Sequence, residues 1–544
     1  MMKNVLDRIN PRIYMALSGL LLGLTVIFAG IGILAFVSMI PLAIMLYKRA
    51  EHGDYRMKKA YLDGFIFYTS FDIVVFHWFT YFYPLDYLGF TKLQAMLVIA
   101  LAWIGISAFQ SVFSAFVFVL ISSFVKTELY VKKTILLAPY AAALWSINEW
   151  TQTFTWAGVP WGRIAISQTE MPIMMQNASL FGSYFLTFVI VLFNFLLAYA
   201  IIYTDKRKLA SGVALSVLLM HILCGAVLYF IPLKNENRSI KVASVQGNLE
   251  SQTNWDITNT EIFNIYSALS ENAVGEGAEL IIWPEGVFPV DINAYVKNAD
   301  GELLKIQEAV SELSQDLGAT TVIGTYVYEY DEDLNDTLYN CMSVFYPDGN
   351  MIINAYSKIR IVPFGEYMPM RDFIGAILPI LTEINIIEED VTPGSEHTLF
   401  GATNYENSIK VGTLMCFDAI YEALAIESVR AGAEILIVPS NDSWFYDSRA
   451  MNMHHSQNIL RAVEQGRFTV NCGNTGITSV VSNKGDVISI MPIYEEGYVI
   501  DSIYASNTRT LYSYIGNLFI YLCIGAVVAV NIFYKKLKIK EIGE

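Results

Sequence analysis

Gly412-Thr413-Leu414-Met415-Cys416-Phe417-Asp418 runs an apolar, strand-like segment straight into a cysteine, an aromatic ring and a carboxylate. A thiol held at the end of a buried strand is what a positioned nucleophile requires. Similar apolar runs lie at 240–247, 279–283, 320–329, 341–346, 434–439 and 468–482, with the first at 410–417. Helical patterns over 257–275, 302–317, 420–431 and 452–465 separate several of them. Runs such as Glu279-Leu-Ile-Ile-Trp283 and Glu434-Ile-Leu-Ile-Val438 lack polar alternation, as expected of strands covered on both faces. This part of the chain predicts a layered α/β fold.

Outside it the composition changes. The chain has 544 residues, of which 54% are hydrophobic, too apolar for a soluble enzyme and too long for one domain. Apolar runs long enough to cross a hydrocarbon core of ~30 Å occur near 13–28, 30–47, 60–83, 93–125, 134–148, 173–203, 209–232 and 511–534. The expected organisation is therefore a polytopic α-helical bundle of seven spans over 1–235, an α/β domain over 236–508, and an eighth span with a basic tail over 509–544. No small-residue cleavage site closes off the first span, which reads as a signal anchor.

The distribution of basic residues orients these spans. Lys3, Arg8 and Arg12 precede the first, and Lys48, Arg49, Arg56, Lys58 and Lys59 fill the second connection. Lys126, Lys132 and Lys133 follow in the fourth, Lys206, Arg207 and Lys208 in the sixth, and Lys535, Lys536, Lys538 and Lys540 after the last span. The alternate connections carry only Lys92 and Arg163. Basic loops are retained in the cytoplasm, so both termini are expected inside a cell membrane and the 236–508 domain outside. That domain is strongly acidic, which excludes nucleic acid as a partner, since phosphate neutralisation needs clustered Lys and Arg.

The five cysteines are Cys224, Cys341, Cys416, Cys472 and Cys523. An odd number in an oxidising space leaves at least one free thiol. No CxxC or His-Cys spacing suggests a metal, and the adjacent His454 and His455 read as structural or supporting residues. No cofactor is called for.

Three stretches carry chemistry. Trp283-Pro-Glu285-Gly-Val-Phe-Pro289 ends a strand in a turn with a carboxylate at its tip, where α/β folds place reacting groups. Tyr356-Ser-Lys358-Ile-Arg-Ile-Val-Pro-Phe-Gly-Glu366-Tyr offers a lysine able to lower a thiol pKa or hold an oxyanion, with a second carboxylate eight residues on. Cys416-Phe417-Asp418 is the third. In the order Glu, Lys, Cys, each ending an apolar strand, they resemble the nitrilase superfamily. The resemblance implies an α-β-β-α sandwich with Glu285 as general base, Lys358 stabilising the tetrahedral intermediate and Cys416 as nucleophile.

With seven spans before the domain and one after it, nearly the whole chain resembles the apolipoprotein N-acyltransferase family. Supporting stretches are Asn148-Glu-Trp150, Ala157-Gly158-Val-Pro160-Trp161, Gln246-Gly-Asn248 with Trp255 downstream, Val362-Pro-Phe-Gly-Glu366-Tyr-Met-Pro369, Asn441-Asp-Ser-Trp444-Phe445 and Asn474-Thr-Gly476. The resemblance implies a monomer that moves an acyl chain from a membrane phospholipid, through a Cys416 thioester, to the α-amino group of a diacylated apolipoprotein. It also implies that Glu366 orients Lys358, that Trp255 and the Gly158 loop lie near the acyl path, and that Phe417, Asp418 and Trp444 line or support the site. Phe417 and Asp418 stand where the family's studied members carry a tyrosine and a glutamate, so one hydroxyl donor is missing.

Phe373-Ile-Gly-Ala-Ile-Leu-Pro-Ile-Leu381 reads either as a buried helix or as a lipid-dipping arm, and Pro379 argues against one long helix. Asp72 and His77, ionisable groups in the third span, are expected to be paired within the bundle or near its outer interface. Two other readings are consistent with these residues. A membrane-tethered amidase would use the same triad with water as acceptor, and a transporter or receptor would use the outer domain only to bind.

Overall fold

The computed structural model describes residues 10–51, 56–86, 89–127, 129–130, 133–233, 238–249, 257–298, 300–330, 336–377 and 389–542. The chain divides into two compact units, one comprising Met1–Pro232, Ser448–Met453 and Tyr514–Glu544, the other Leu233–Asp447 and His454–Ser513.

The first unit is helical. Among the described residues, four of its helical segments are long and apolar enough to cross a membrane: Ala29–Glu51, Lys92–Phe124, Ser183–Ile202 and Arg207–Phe230. Pro11–Ile27 and Leu518–Phe533 are apolar but shorter. Met57–Val75 carries Lys58, Lys59, Asp63 and Asp72, and Leu137–Thr151 has only 15 residues and ends in Asn148-Glu-Trp-Thr151. Two expected spans are interrupted. The run over 60–83 leaves its α-helix at Val75 and continues as a 3-10 helix over His77–Phe82. The run over 173–203 forms short helices at Pro172–Met175 and Ala178–Phe181 before Gly182, at φ +79°, starts Ser183–Ile202.

Polar residues of this unit are used internally. The buried Glu149 carboxylate accepts from the Ile164 N–H at 2.9 Å and the Thr187 hydroxyl at 2.7 Å, tying three segments together. Asp72 accepts from the Ser111 hydroxyl at 3.3 Å, and His77 Nδ1 lies 2.9 Å from the Val74 carbonyl. Gly158 is required by close approach, because a Cβ there would sit 2.1 Å from the Gln152 carbonyl oxygen.

The second unit is α/β. Its first sheet contains β1 (Ser239–Gln246), β2 (Leu280–Ile282), β5 (Thr320–Tyr330), β6 (Asp336–Phe345), β7 (Met351–Ser357) and β14 (Gly497–Tyr504), in the order β14-β1-β2-β5-β6-β7. Its second contains β8 (Leu399–Gly401), β9 (Lys410–Thr413), β10 (Ile435–Ser440), β11 (Thr469–Gly473), β12 (Thr478–Val481) and β13 (Val487–Met491), in the order β13-β12-β11-β10-β9-β8. A small hairpin, β3 (Tyr295–Lys297) with β4 (Leu303–Lys305), stands apart.

The two sheets repeat one plan. β1, β2 and β5 run parallel, as do β9, β10 and β11, and each trio ends in antiparallel strands. Parallel neighbours need crossovers, supplied by helices Asn259–Gly275 and Ile306–Leu317 in the first half and Glu422–Ala431 and Arg449–Gln465 in the second. Val242, Leu280, Ile282, Val322 and Met342 of one sheet share a core with Val411, Ile435, Ile437 and Val470 of the other. The opposite face of the first sheet packs Ile281 and Ile323 against Ile262, Tyr266 and Val310 of its helices. Strands buried on both faces explain the unalternated runs.

Several expected boundaries shift. The run 410–417 pairs only through Thr413, and Cys416 starts a 3-10 turn, Cys416–Ile420. The run 468–482 is a hairpin rather than one strand, folded at Asn474-Thr-Gly476. The helix expected from 302 begins at Ile306, because 303–305 form β4.

Candidate active site

Glu285, Lys358 and Cys416 come from three separate strand ends and meet in one buried place. Glu285 follows β2 in a turn that Gly286 permits at φ +56°. The turn lies against β5 so closely that a Cβ on Gly324 would sit 2.3 Å from the Pro284 carbonyl oxygen and 2.6 Å from Glu285 Cα. Lys358 follows β7, its N–H donating to the Asn340 carbonyl at 2.8 Å, which extends the β6–β7 pairing by one rung. Cys416 adopts φ +48°, a left-handed conformation that costs a non-glycine residue about 1 kcal/mol or more.

The Lys358 ammonium lies 2.6 Å from Glu285 Oε1 and 2.9 Å from the Glu366 carboxylate. Asn340 Nδ2 donates to the same two carboxylates, at 2.9 and 2.8 Å. The Asn441 N–H donates to the other Glu285 oxygen at 3.0 Å, and the Val362 N–H donates to Glu366 at 2.8 Å. Glu285 is 6% exposed and Lys358 1%, so these charges are paired in a low-dielectric pocket.

Electrostatics follow from this packing. Burial pushes the Glu285 carboxyl up, but the Lys358 ammonium and the hydrogen bonds from Lys358, Cys416 and the Asn441 N–H override it, leaving the group below its usual range. Burial and the Glu285 charge hold the Cys416 thiol well above the ordinary cysteine value, only partly opposed by Lys358. Burial disfavours a charged Lys358, yet Glu285 and Glu366 raise it well above the usual lysine range. The resting site therefore holds a neutral thiol under the influence of an ionised carboxylate and an ammonium ion. Such a pair can pass the thiol proton to Glu285 as the sulfur attacks.

Asp418 is fully buried and accepts from the Tyr356 hydroxyl at 2.7 Å, the Arg360 N–H at 2.7 Å and the Met415 N–H at 3.2 Å. It thus ties the turn bearing Cys416 to the segment bearing Lys358. Burial raises its carboxyl to about 6, against the lowering effect of the Tyr356 and Arg360 hydrogen bonds. Phe417 is half-buried, its ring edge-on to Tyr421 at 5.5 Å, and Trp444 is 49% exposed. Trp255 lies outside the described residues. Gly158 belongs to the helical unit, where its close backbone approach has been described.

Asn340 and Tyr356 were not among the residues expected here. Asn340 lies in β6 and Tyr356 in β7, and nothing in either strand's sequence marks them as partners of a buried carboxylate. The Gln246-Gly-Asn248 and Asn474-Thr-Gly476 stretches meet each other rather than the thiol. The Asn248 N–H donates to the Asn474 carbonyl at 3.0 Å, and Gln246 Nε2 donates to the Pro492 and Glu495 carbonyls at 3.0 and 2.7 Å. Among the described residues no cluster of three His, Cys, Asp or Glu side chains is arranged to hold a metal ion, and all five cysteines are free.

Residues 241–512, half of the chain, match the family model described as carbon-nitrogen hydrolase, and residues 18–196 match that described as apolipoprotein N-acyltransferase N-terminal domain. A Geobacter metallireducens protein named apolipoprotein N-acyltransferase is 27% identical over 540 residues, covering 97% of each chain. A Thermotoga maritima protein of the same name is 26% identical over 526 residues, covering 96% of this chain and 93% of its own. A solved structure of Saccharomyces cerevisiae Nit3, a member of branch 10 of the nitrilase superfamily, aligns at 21% identity with a TM-score of 0.37, covering 52% of this chain and 95% of that one.

Proposed function

Because the chain belongs to the carbon-nitrogen hydrolase family, in its apolipoprotein N-acyltransferase branch, we propose that it transfers an acyl chain from a membrane phospholipid to the α-amino group of a diacylated lipoprotein cysteine, through a thioester on Cys416. The observation that carries this reading is the Lys358 ammonium 2.6 Å from the Glu285 carboxylate, at a site where both charges act on the Cys416 thiol.

Glu285 takes the thiol proton as Sγ attacks the ester carbonyl carbon. The tetrahedral intermediate collapses, the C–O bond breaks, and Glu285 returns the proton to the departing lysophospholipid oxygen. The lipoprotein amine then attacks the thioester, Glu285 accepts a proton from the nitrogen, and the thiolate leaves and is reprotonated. An ammonium has three N–H donors. Glu285 and Glu366 take two from Lys358, and the third serves the oxyanion together with the N–H of Phe417, the residue after the nucleophile.

Both substrates are membrane-anchored, so the site opens towards a bilayer. Phe364, Met370, Phe373 and Trp444 are exposed apolar side chains consistent with contact with lipid, and the helix Arg371–Ile377 forms the described part of the expected arm. In this reading the chain crosses a cell membrane eight times, with both termini cytoplasmic, residues 236–508 extracytoplasmic, and the enzyme working as a monomer.

Membranes containing the protein and a phospholipid with a labelled acyl chain are expected to yield a hydroxylamine-sensitive label on Cys416, absent in Cys416→Ser and Cys416→Ala. A diacylated lipopeptide should discharge that label onto its N-terminus. An active preparation without label would sink the thioester scheme, and release as free fatty acid in the presence of lipopeptide would favour a hydrolase.

A further inference from the structure

The helix Arg449–Gln465 grips the nucleophile turn at both ends. His454 Nε2 lies 3.0 Å from the Cys416 carbonyl oxygen, and Arg461 Nη1 donates to the Ala419 carbonyl oxygen at 3.4 Å. Seven residues is close to two helical turns, so both side chains leave the same helix face. Each is backed by a buried carboxylate. His454 Nδ1 lies 2.9 Å from Asp442 Oδ1, and Arg461 Nη2 lies 2.7 Å from Glu464.

The two contacts of His454 fix its charge. A neutral imidazole carries one N–H, yet here one ring nitrogen faces a carboxylate and the other a backbone carbonyl, both acceptors only. The imidazolium alone donates to both. Asp442 cannot easily retreat, because Gly476 packs against it, a Cβ there falling 2.8 Å from Asp442 Cβ.

The Cys416 carbonyl belongs to the same planar peptide as the Phe417 N–H, and in a trans peptide the two point in opposite directions. Anchoring the oxygen therefore aims the N–H. Among the described residues that N–H meets no acceptor, which leaves it for a ligand. A charged donor on the oxygen also polarises the peptide and strengthens its N–H as a donor.

We propose that His454, held as an imidazolium by Asp442, is a positioning residue for the nucleophile, fixing the left-handed backbone at Cys416 and aiming the Phe417 N–H at the developing oxyanion. The inference rests on the acyl-transfer reading for its catalytic consequence, though not for the protonation state of the ring. The groups acting on the ring support it. Burial alone would lower His454, but Asp442, the Cys416 carbonyl and the Glu285 charge together raise it. The neighbouring His455 is driven the other way, to about 4, by burial and by His454 itself, and its Nε2 lies 2.8 Å from the Ser479 hydroxyl. The Cys416 thiol is neutral at rest.

The test uses the full-length enzyme with 15N-labelled imidazole rings, of which there are six. The signals lost in His454→Gln should report two protonated nitrogens at pH 7. A neutral tautomer there would overturn the proposal. In kinetics, His454→Gln and Asp442→Asn should lower kcat for acyl-enzyme formation roughly 100-fold, as expected for a misplaced reacting group, with KM for phospholipid nearly unchanged. Should His454→Gln not fold, Asp442→Asn carries the test alone: its alkaline fall in kcat should move to lower pH, and an unmoved pH profile with unchanged kcat would overturn the proposal. Failure of the acyl-transfer reading is separately visible, as absence of acyl label in the unaltered enzyme whatever the ring spectrum shows.

Discussion

Glu285 opposes thiolate formation at rest, and in the proposed reaction it promotes attack when substrate is present; the two effects can be separated by measurement. Its negative charge raises the Cys416 thiol, so iodoacetamide should alkylate Cys416 slowly at pH 7 and faster as pH rises. Glu285→Gln removes that charge while Lys358 stays, so alkylation at pH 7 should accelerate even as acyl-enzyme formation falls by at least about 100-fold. Alkylation and acylation falling together would contradict the assigned roles. Asp418 makes a second prediction. With its carboxyl raised to about 6 by burial, it loses the charge that accepts from Tyr356, Arg360 and Met415 as pH falls through that value. The pH–rate profile should therefore fall on the acid side near 6. Tyr356→Phe removes a hydrogen bond that lowers Asp418, so this limb should move to higher pH, with about 1.5–3 kcal/mol lost from unfolding stability.

The turn after β2 depends on what β5 lacks. Gly324→Ala would push a methyl group into the Pro284 carbonyl and Glu285 Cα, so stability should drop by about 1–3 kcal/mol and kcat more than KM, as Glu285 moves from the thiol. Circular dichroism melting and single-turnover acylation check the two parts. Glu285 and Cys416 were legible because each follows an apolar run where a turn interrupts the pattern, whereas Lys358 follows the less apolar β7 and was legible from its own motif, with Glu366 eight residues on. Asn340 left none, since its side chain reaches the two carboxylates from within β6, amid residues that only pack. The strands β7, β8, β13 and β14 escaped the apolar-run reading for a related reason. They are the four edges of the two sheets, β8 is only three residues long, and β13 is partly or fully exposed throughout, so their sequences lack the hydrophobic density of covered strands. His454 was visible as a residue but not as a contact, because its partners Asp442 and Cys416 are joined to it only by folding.

Over the whole molecule, the basic connections give the least local and most easily tested expectation. Asp300→Cys, exposed in the α/β unit, should react with an impermeant thiol reagent when the cell membrane is intact, whereas Lys206→Cys should react only after permeabilisation. The reverse pattern would invert the topology. One feature of the α/β unit bears on how such a protein is assembled. β1 and β14 are hydrogen-bonded along their length, Ser239 opposite Tyr504, so the first and last strands of the unit lie side by side at the spacing of a single sheet rung, about 4.8 Å. The start of β1 and the end of β14 are therefore neighbours, and joining them needs only a short stretch of chain. A short loop bridging the two ends, with new termini cut at an exposed tip such as Gly301, should therefore give a circular permutant with both sheets intact.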